Sequence, residues 1–189
     1  GGQYEYSGGV NPIAIVARAE EALAAEHWRE PATANLTLEL TNLGLADPGN
    51  EAIGRLRRDA AKKLEPAGRE ASNAKDWAKA VEVYRDLLAV WPDHEKAREE
   101  FVEALRWHAK GLEGRRDWAN LLETADELLN FEPKLFVALK YRAAALEGLE
   151  RYGEAAPAYR AAMRIRPNDK DVKKGHRRVS GKLKDLGVE

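Results

Sequence analysis

Four histidines (His27, His94, His108 and His176) and three serines (Ser7, Ser72 and Ser180) are the side chains best suited to acid–base or nucleophilic work. A helical zinc site needs two histidines four residues apart, because that spacing puts both rings on one face. No pair of histidines has it. A serine nucleophile on a sharp strand–helix turn needs flanking glycines at fixed offsets, and none of the three serines has them. There is no cysteine, so disulfides and thiolate metal ligands are excluded. No glycine-rich loop lies between a strand and a helix. The residues therefore imply no catalytic site, no metal and no cofactor, and the chain is expected not to be an enzyme on its own.

Charge is the other chemistry present. Thirty-one basic residues balance 32 acidic ones, for a net charge of −1, so nothing global points to nucleic acid. One local excess stands out: Lys170, Lys173, Lys174, Arg177, Arg178, Lys182 and Lys184 fall close together near the C-terminus. Aromatic residues are not interleaved with them, so the run reads as the solvated face of a terminal helix, with cations favoured near the helix C-terminus. No apolar run approaches the length of a membrane span. Asn35-Leu36-Thr37 fits a glycosylation acceptor but falls in an expected helix.

The elements that position these groups are marked by prolines. Pro92, Pro133 and Pro167 each close an apolar stretch, the last two 34 residues apart and the first two 41. Before them run Trp77, Ala80, Tyr84, Leu87; then Trp118, Leu121, Ala125, Leu128; then Tyr152, Ala155, Tyr159, Ala162. The steps, prolines included, are three, four, three and five in every unit. Steps of three and four keep side chains on one helix face, and the proline marks the stop. A partner helix precedes each, carrying Leu64, Gly68, Ala71; Leu105, Ala109, Leu112; and Leu139, Ala143, Leu146. The small middle residue lets two helices approach closely. Ala, Leu, Glu, Lys and Arg dominate the composition and favour helix throughout.

Residues 61–169 resemble the tetratricopeptide repeat family in the segments DWAKAVEVYRDLLAVWP, DWANLLETADELLNFEP and RYGEAAPAYRAAMRIRP, each with its preceding helix. The resemblance implies an all-α fold of stacked antiparallel helical hairpins, a right-handed solenoid closed by a C-terminal capping helix. It implies a non-catalytic scaffold that binds a peptide or partner protein in a concave groove lined by the first helix of each hairpin. By register, that groove would present Arg69, Arg106, Trp107, Lys110, Lys140 and Tyr141. Some members of the family clamp a C-terminal carboxylate with Lys and Asn at fixed positions. Glu65 and Arg69 stand there instead, so a mixed groove for an extended, partly acidic peptide is expected. Trp77, Tyr84, Trp118, Tyr152 and Tyr159 are expected to be mostly buried. Seven extra residues in the middle unit should lengthen its first helix by about two turns.

Outside the repeats, residues 1–11 are Gly-rich and read as a linker or an appended segment. Residues 12–60 read as an N-terminal region of two or three helices, with Pro12 and Pro31 in first turns. Pro66 is expected to kink or end a helix. Residues 170–189 form the capping helix, with Asn168 as its cap and Val172, Val179, Leu183 and Leu186 as its apolar face. Residues 8–73 also loosely resemble the helical dimerisation domain of alkyl sulfatases, through a Gly-Gly start, an Ala-rich helix and an Ala-Asp-Pro turn. That resemblance implies self-association as the accessory part of a metallo-β-lactamase-like hydrolase.

Overall fold

A computed structural model describes residues 11–187. The expected linker 1–11 therefore lies, apart from Asn11, outside the described residues. Among these residues there are nine α-helices and no strand. They divide into two compact units, the first ending at Phe101 and the second beginning at Val102.

The first unit holds α1 (Pro12–Ala24), α2 (Leu36–Ala46), α3 (Glu51–Asn73), α4 (Trp77–Val90) and the start of α5 (Glu95–Arg115). Helices α1 and α2 pair, as do α3 and α4, and α1 and α2 also touch α3. Ile15, Leu36, Leu43, Leu56, Leu87 and Tyr84 are buried at its centre. The second unit holds the rest of α5, then α6 (Trp118–Phe131), α7 (Phe136–Gly148), α8 (Tyr152–Ile165) and α9 (Lys170–Asp185). From α6 to α9 each helix packs on the next. Ala143, Leu146, Ala155, Tyr159, Ala162, Val172 and Val179 form its core.

The hairpins close through one repeated backbone device. Glu26, Lys75, Arg116 and Glu150 follow the ends of α1, α3, α5 and α7, all with φ between 57° and 59°. That is the left-handed region, which terminates a helix by turning the chain outward. The residue after each returns its N–H to a carbonyl five residues earlier, as in Asp76 to Ala71 (2.9 Å) and Arg151 to Leu146 (2.9 Å). Asp76 and Asp117 then cap α4 and α6, accepting from the amides of Lys79 and Asn120. The aromatics Trp77, Trp118 and Tyr152 open the next helices, half-buried.

Aromatic rings seat where the facing helix lacks a side chain. A Cβ placed on Gly68 would lie 2.7 Å from the Tyr84 ring, one on Gly148 2.4 Å from Trp118, and one on Gly175 2.3 Å from Tyr159. Tyr84 and Tyr159 are 1% and 3% exposed, which confirms their place in the core. Burying a large apolar side chain contributes about 1.5–3 kcal/mol.

Several expectations are corrected. Pro66 does not end its helix, since α3 runs through it to Asn73. Pro66 is exposed, so the ring and the carbonyl it leaves unbonded face solvent rather than core. The same holds for Pro157 within α8. A boundary near residue 60 consequently falls inside α3. Pro31 does not open α2. That helix begins after Asn35, whose side chain accepts from the Leu38 amide and donates to the Pro31 carbonyl, and which is buried. Asp169, not Asn168, caps α9, because its side chain reaches the Val172 amide at 3.0 Å. Leu186 lies beyond the end of α9 and is 64% exposed, so it leaves the apolar stripe that Val172 and Val179 form. The long middle helix is as expected, with 21 residues in α5 against 13 in α7.

These contacts set an expected pair of outcomes within one helix. Gly175→Ala should destabilise by about 1–3 kcal/mol, because the new methyl overlaps the Tyr159 ring. Gly181→Ala, with nothing within 4 Å of its Cβ, should stabilise by roughly 0.5–1 kcal/mol through helix propensity. Urea denaturation of both variants checks this, and a Gly175→Ala protein as stable as Gly181→Ala would refute the seating of the ring.

Candidate functional site

Helix α5 carries Glu103, Arg106, Trp107 and Lys110 at spacings of three, four and seven, which puts them on one face. The Trp107 ring is 41% exposed, unusual for so large an apolar group. It is held in place from two sides. Its indole Nε1 donates to Glu103 Oε1 at 2.6 Å, and the Lys110 ammonium sits 4.8 Å from the ring centroid. Arg106 Nη1 donates to the other Glu103 oxygen at 3.3 Å. One carboxylate thus orients both an aromatic ring and a guanidinium, and the cation over the ring adds about 0.5–1 kcal/mol at an exposed position.

Helix α7 brings Lys140 and Tyr141. Lys140 Nζ donates to Asp171 Oδ2 of α9 at 2.8 Å. Burial opposes the Lys140 charge, but the Asp171 bond and the charges of Asp171, Asp169 and Glu113 outweigh it and hold its pKa above the ordinary value. The same bond to Lys140 lowers the Asp171 carboxyl. Tyr141 is only 7% exposed, so it underlies the surface instead of offering a ring face. Burial raises its phenol, as does the charge of Glu113, while Lys140 and Arg106 pull it down. Arg106 and Glu113 of α5 and Lys140 and Tyr141 of α7 therefore lie within electrostatic range of one another. Arg69 belongs to α3 in the first unit, where it is exposed.

Sequence register placed these residues on first helices, together with Glu103, but not Glu113 and Asp171. Glu103, Glu113 and Asp171 make the surface alternate in charge. The spacing of Glu103 before Arg106 and Trp107 was the available signal.

A second charged cluster joins α7, α8 and α9. Arg178 grips Glu147 with two bonds, Nε to Oε1 at 2.7 Å and Nη2 to Oε2 at 2.9 Å, and the Tyr159 hydroxyl donates to the same carboxylate. Two-pronged guanidinium–carboxylate pairs are the more specific kind of ion pair. Burial above all, then the Glu147 bond and charge, hold the Tyr159 phenol far above its ordinary value. His94 also has a structural role. Its Nδ1 accepts from the Ala97 amide at the start of α5, its Nε2 lies 3.1 Å from Glu65, and its ring stands edge-on to Trp91. Among the described residues no group of acidic or histidine side chains could hold a metal ion, and no helix is long and apolar enough to cross a membrane.

No protein-family model and no curated protein matches the chain. Solved structures do. The C-terminal tetratricopeptide-containing domain of a putative FK506-binding protein from Plasmodium falciparum is 18% identical, with 70% of this chain and 93% of that one covered and a TM-score of 0.52. The tetratricopeptide domain of Arabidopsis OM64 is 22% identical, covering 65% of this chain and 96% of that one at a TM-score of 0.43. The first such domain of Spaghetti (RPAP3), bound to an HSP90 peptide, is 17% identical, covering 65% and 92% at 0.44. The chain has a tetratricopeptide-like fold, an all-α helical repeat. The likeness of residues 8–73 to an alkyl sulfatase domain has no counterpart in these comparisons.

The buried phenols predict an alkaline weakness. Tyr84, Tyr141 and Tyr159 all have pKa values raised above the ordinary one, with burial the first cause. A raised folded-state value favours the neutral form in the native protein. Its contribution is whole below the unfolded tyrosine value of about 10 and is lost as pH rises from there. Melting temperature should therefore fall above that pH, and less steeply in Tyr159→Phe. Equal slopes in the two proteins would show that Tyr159 ionises as if exposed.

Proposed function

We propose that the chain is a protein-interaction scaffold, and that the α5–α7 face of its second unit takes an extended peptide with alternating or partly acidic character. The observation that carries this reading is the exposed, pre-oriented Trp107. Its ring is fixed by Glu103 and covered by Lys110, so little side-chain entropy is left to lose on binding. Fixed aromatic and arginine side chains are the usual anchors of protein interfaces. Arg106, Lys110 and Lys140 supply cations, and each already has a partner in Glu103, the Trp107 ring or Asp171. An incoming carboxylate exchanges one of these partners instead of meeting a bare charge. Such a surface gives modest affinity and selects for charge pattern more than for net charge. Tyr141 supports the face from beneath. Arg69, on the first unit, is a separate candidate contact.

The test is fluorescence anisotropy with labelled peptides of mixed and acidic sequence. The triple variant Arg106→Glu/Lys110→Glu/Lys140→Glu should lose binding by more than about tenfold while its circular dichroism is unchanged. Trp107→Ala should lose a similar amount, and added salt should weaken the wild-type complex, since exposed pairs are screened over about 10 Å at 0.1 M. Undiminished binding by both variants would remove this face as the site.

A further inference from the structure

The two ends of the described chain carry opposite charge, and each exposes an apolar side chain. Residues 11–50, which form α1, α2 and their connections, hold six acidic side chains against two basic ones (Glu20, Glu21, Glu26, Glu30, Glu39, Asp47; Arg18, Arg29). Helix α9 holds seven basic side chains against two acidic ones, Asp171 and Asp185. Internal pairing does not erase the contrast. Glu20, Glu26 and Glu39 are paired with Arg55, Lys63 and Arg18, but Glu21, Glu30 and Asp47 make no salt bridge among the described residues. Arg177, Lys182 and Lys184 likewise make none among them.

Apolar shape follows the same division. At the acidic end a cavity of about 820 Å³ opens between the start of α1 and the α2–α3 turn. Its walls include Pro12, Ile13, Val16 and Ala17, and Glu20 and Asp47 border it. Ile13 stands 79% exposed beside it. At the basic end Leu186, 64% exposed, is the C-cap of α9, next to Asp185, and its backbone N–H reaches the carbonyls of Lys182 and Lys184. An exposed leucine at the end of a helix of net positive charge, with Lys182 and Lys184 near it and Asp185 beside it, and an apolar cavity with an acidic border can serve as a knob and a hole.

We propose that the occupant of this cavity is the C-terminal end of α9 from a second copy of the chain, with Leu186 seated against Ile13 and Val16 and Lys182 and Lys184 facing Asp47 and Glu20. The two surfaces are different, so the contact is head-to-tail and each copy keeps one free end of each kind. A contact of that type extends into open chains unless rotation closes a ring. Net charge near zero removes the general repulsion that would oppose it. The inference uses none of the α5–α7 surface, so neither proposal depends on the other.

Sedimentation velocity of the whole chain from micromolar to several hundred micromolar concentration tests it. Mean mass should rise continuously with concentration beyond that of a dimer, and less so in high salt. Both Ile13 and Leu186 are exposed, so Ile13→Glu and Leu186→Glu should fold normally, and each alone should stay monomeric, with association weakened by about tenfold or more. Mixing the two variants restores one intact knob and one intact hole. The mixture should form a dimer and nothing larger. A wild type that stays monomeric, a closed dimer, association unaffected by either substitution, or a mixture that stays monomeric would each overturn the proposal.

Discussion

An aromatic ring seated against a helix that lacks a side chain is the contact on which this architecture depends. Two helices joined by a three- or four-residue turn must pack along their length, and a tyrosine or tryptophan between them would ordinarily hold them apart. Gly68, Gly148 and Gly175 resolve that conflict by leaving the space that Tyr84, Trp118 and Tyr159 fill. Glycine in a helix interior costs roughly 1 kcal/mol against alanine, which the buried ring offsets. The arrangement is also selective in position. Gly44, Gly114 and Gly181 face open space and do nothing comparable.

Around these seats the turns do the orienting. Four charged residues in the left-handed region, Glu26, Lys75, Arg116 and Glu150, end the first helix of each hairpin at the same point. Each then launches the aromatic-bearing segment two residues later. In the first hairpin that segment is longer. Arg29 ties it to Asp86 and Glu82 of α4, which fixes the connection without a helix. The surface proposed for binding follows from the same geometry, since Trp107 and Lys140 sit on helices whose other faces are fully committed to the core.

Much of this was legible from the sequence because the repeat writes it three times. The steps between Trp77, Tyr84 and Pro92 recur around Trp118 and Tyr152, and the structure buries or half-buries those rings as the period requires. What stayed hidden depended on partners across the fold. Gly148 and Gly175 look like helix defects until Trp118 and Tyr159 are placed against them. Pro66 reads as a kink or a stop, and only its exposure, a tertiary property, makes the lost hydrogen bond harmless. The left-handed turns are filled by Lys, Arg and Glu, so the glycine that usually signals them is missing. On the candidate surface, Arg106 and Lys140 were identifiable by register. The covering of Tyr141 and the pairing of Glu103 and Asp171 with their neighbours are set by the tertiary structure, because such contacts cross between helices or depend on rotamer.

The ring and the gap act as one energetic unit, which a double-mutant cycle between Tyr159 and Gly175 measures most directly. Removing the ring should free the space, so Gly175→Ala made in a Tyr159→Ala background should cost nothing or stabilise by a few tenths of a kcal/mol. The coupling between the two sites should then be about 1–3 kcal/mol. Strictly additive effects, with Gly175→Ala equally costly whether or not the ring is present, would contradict it.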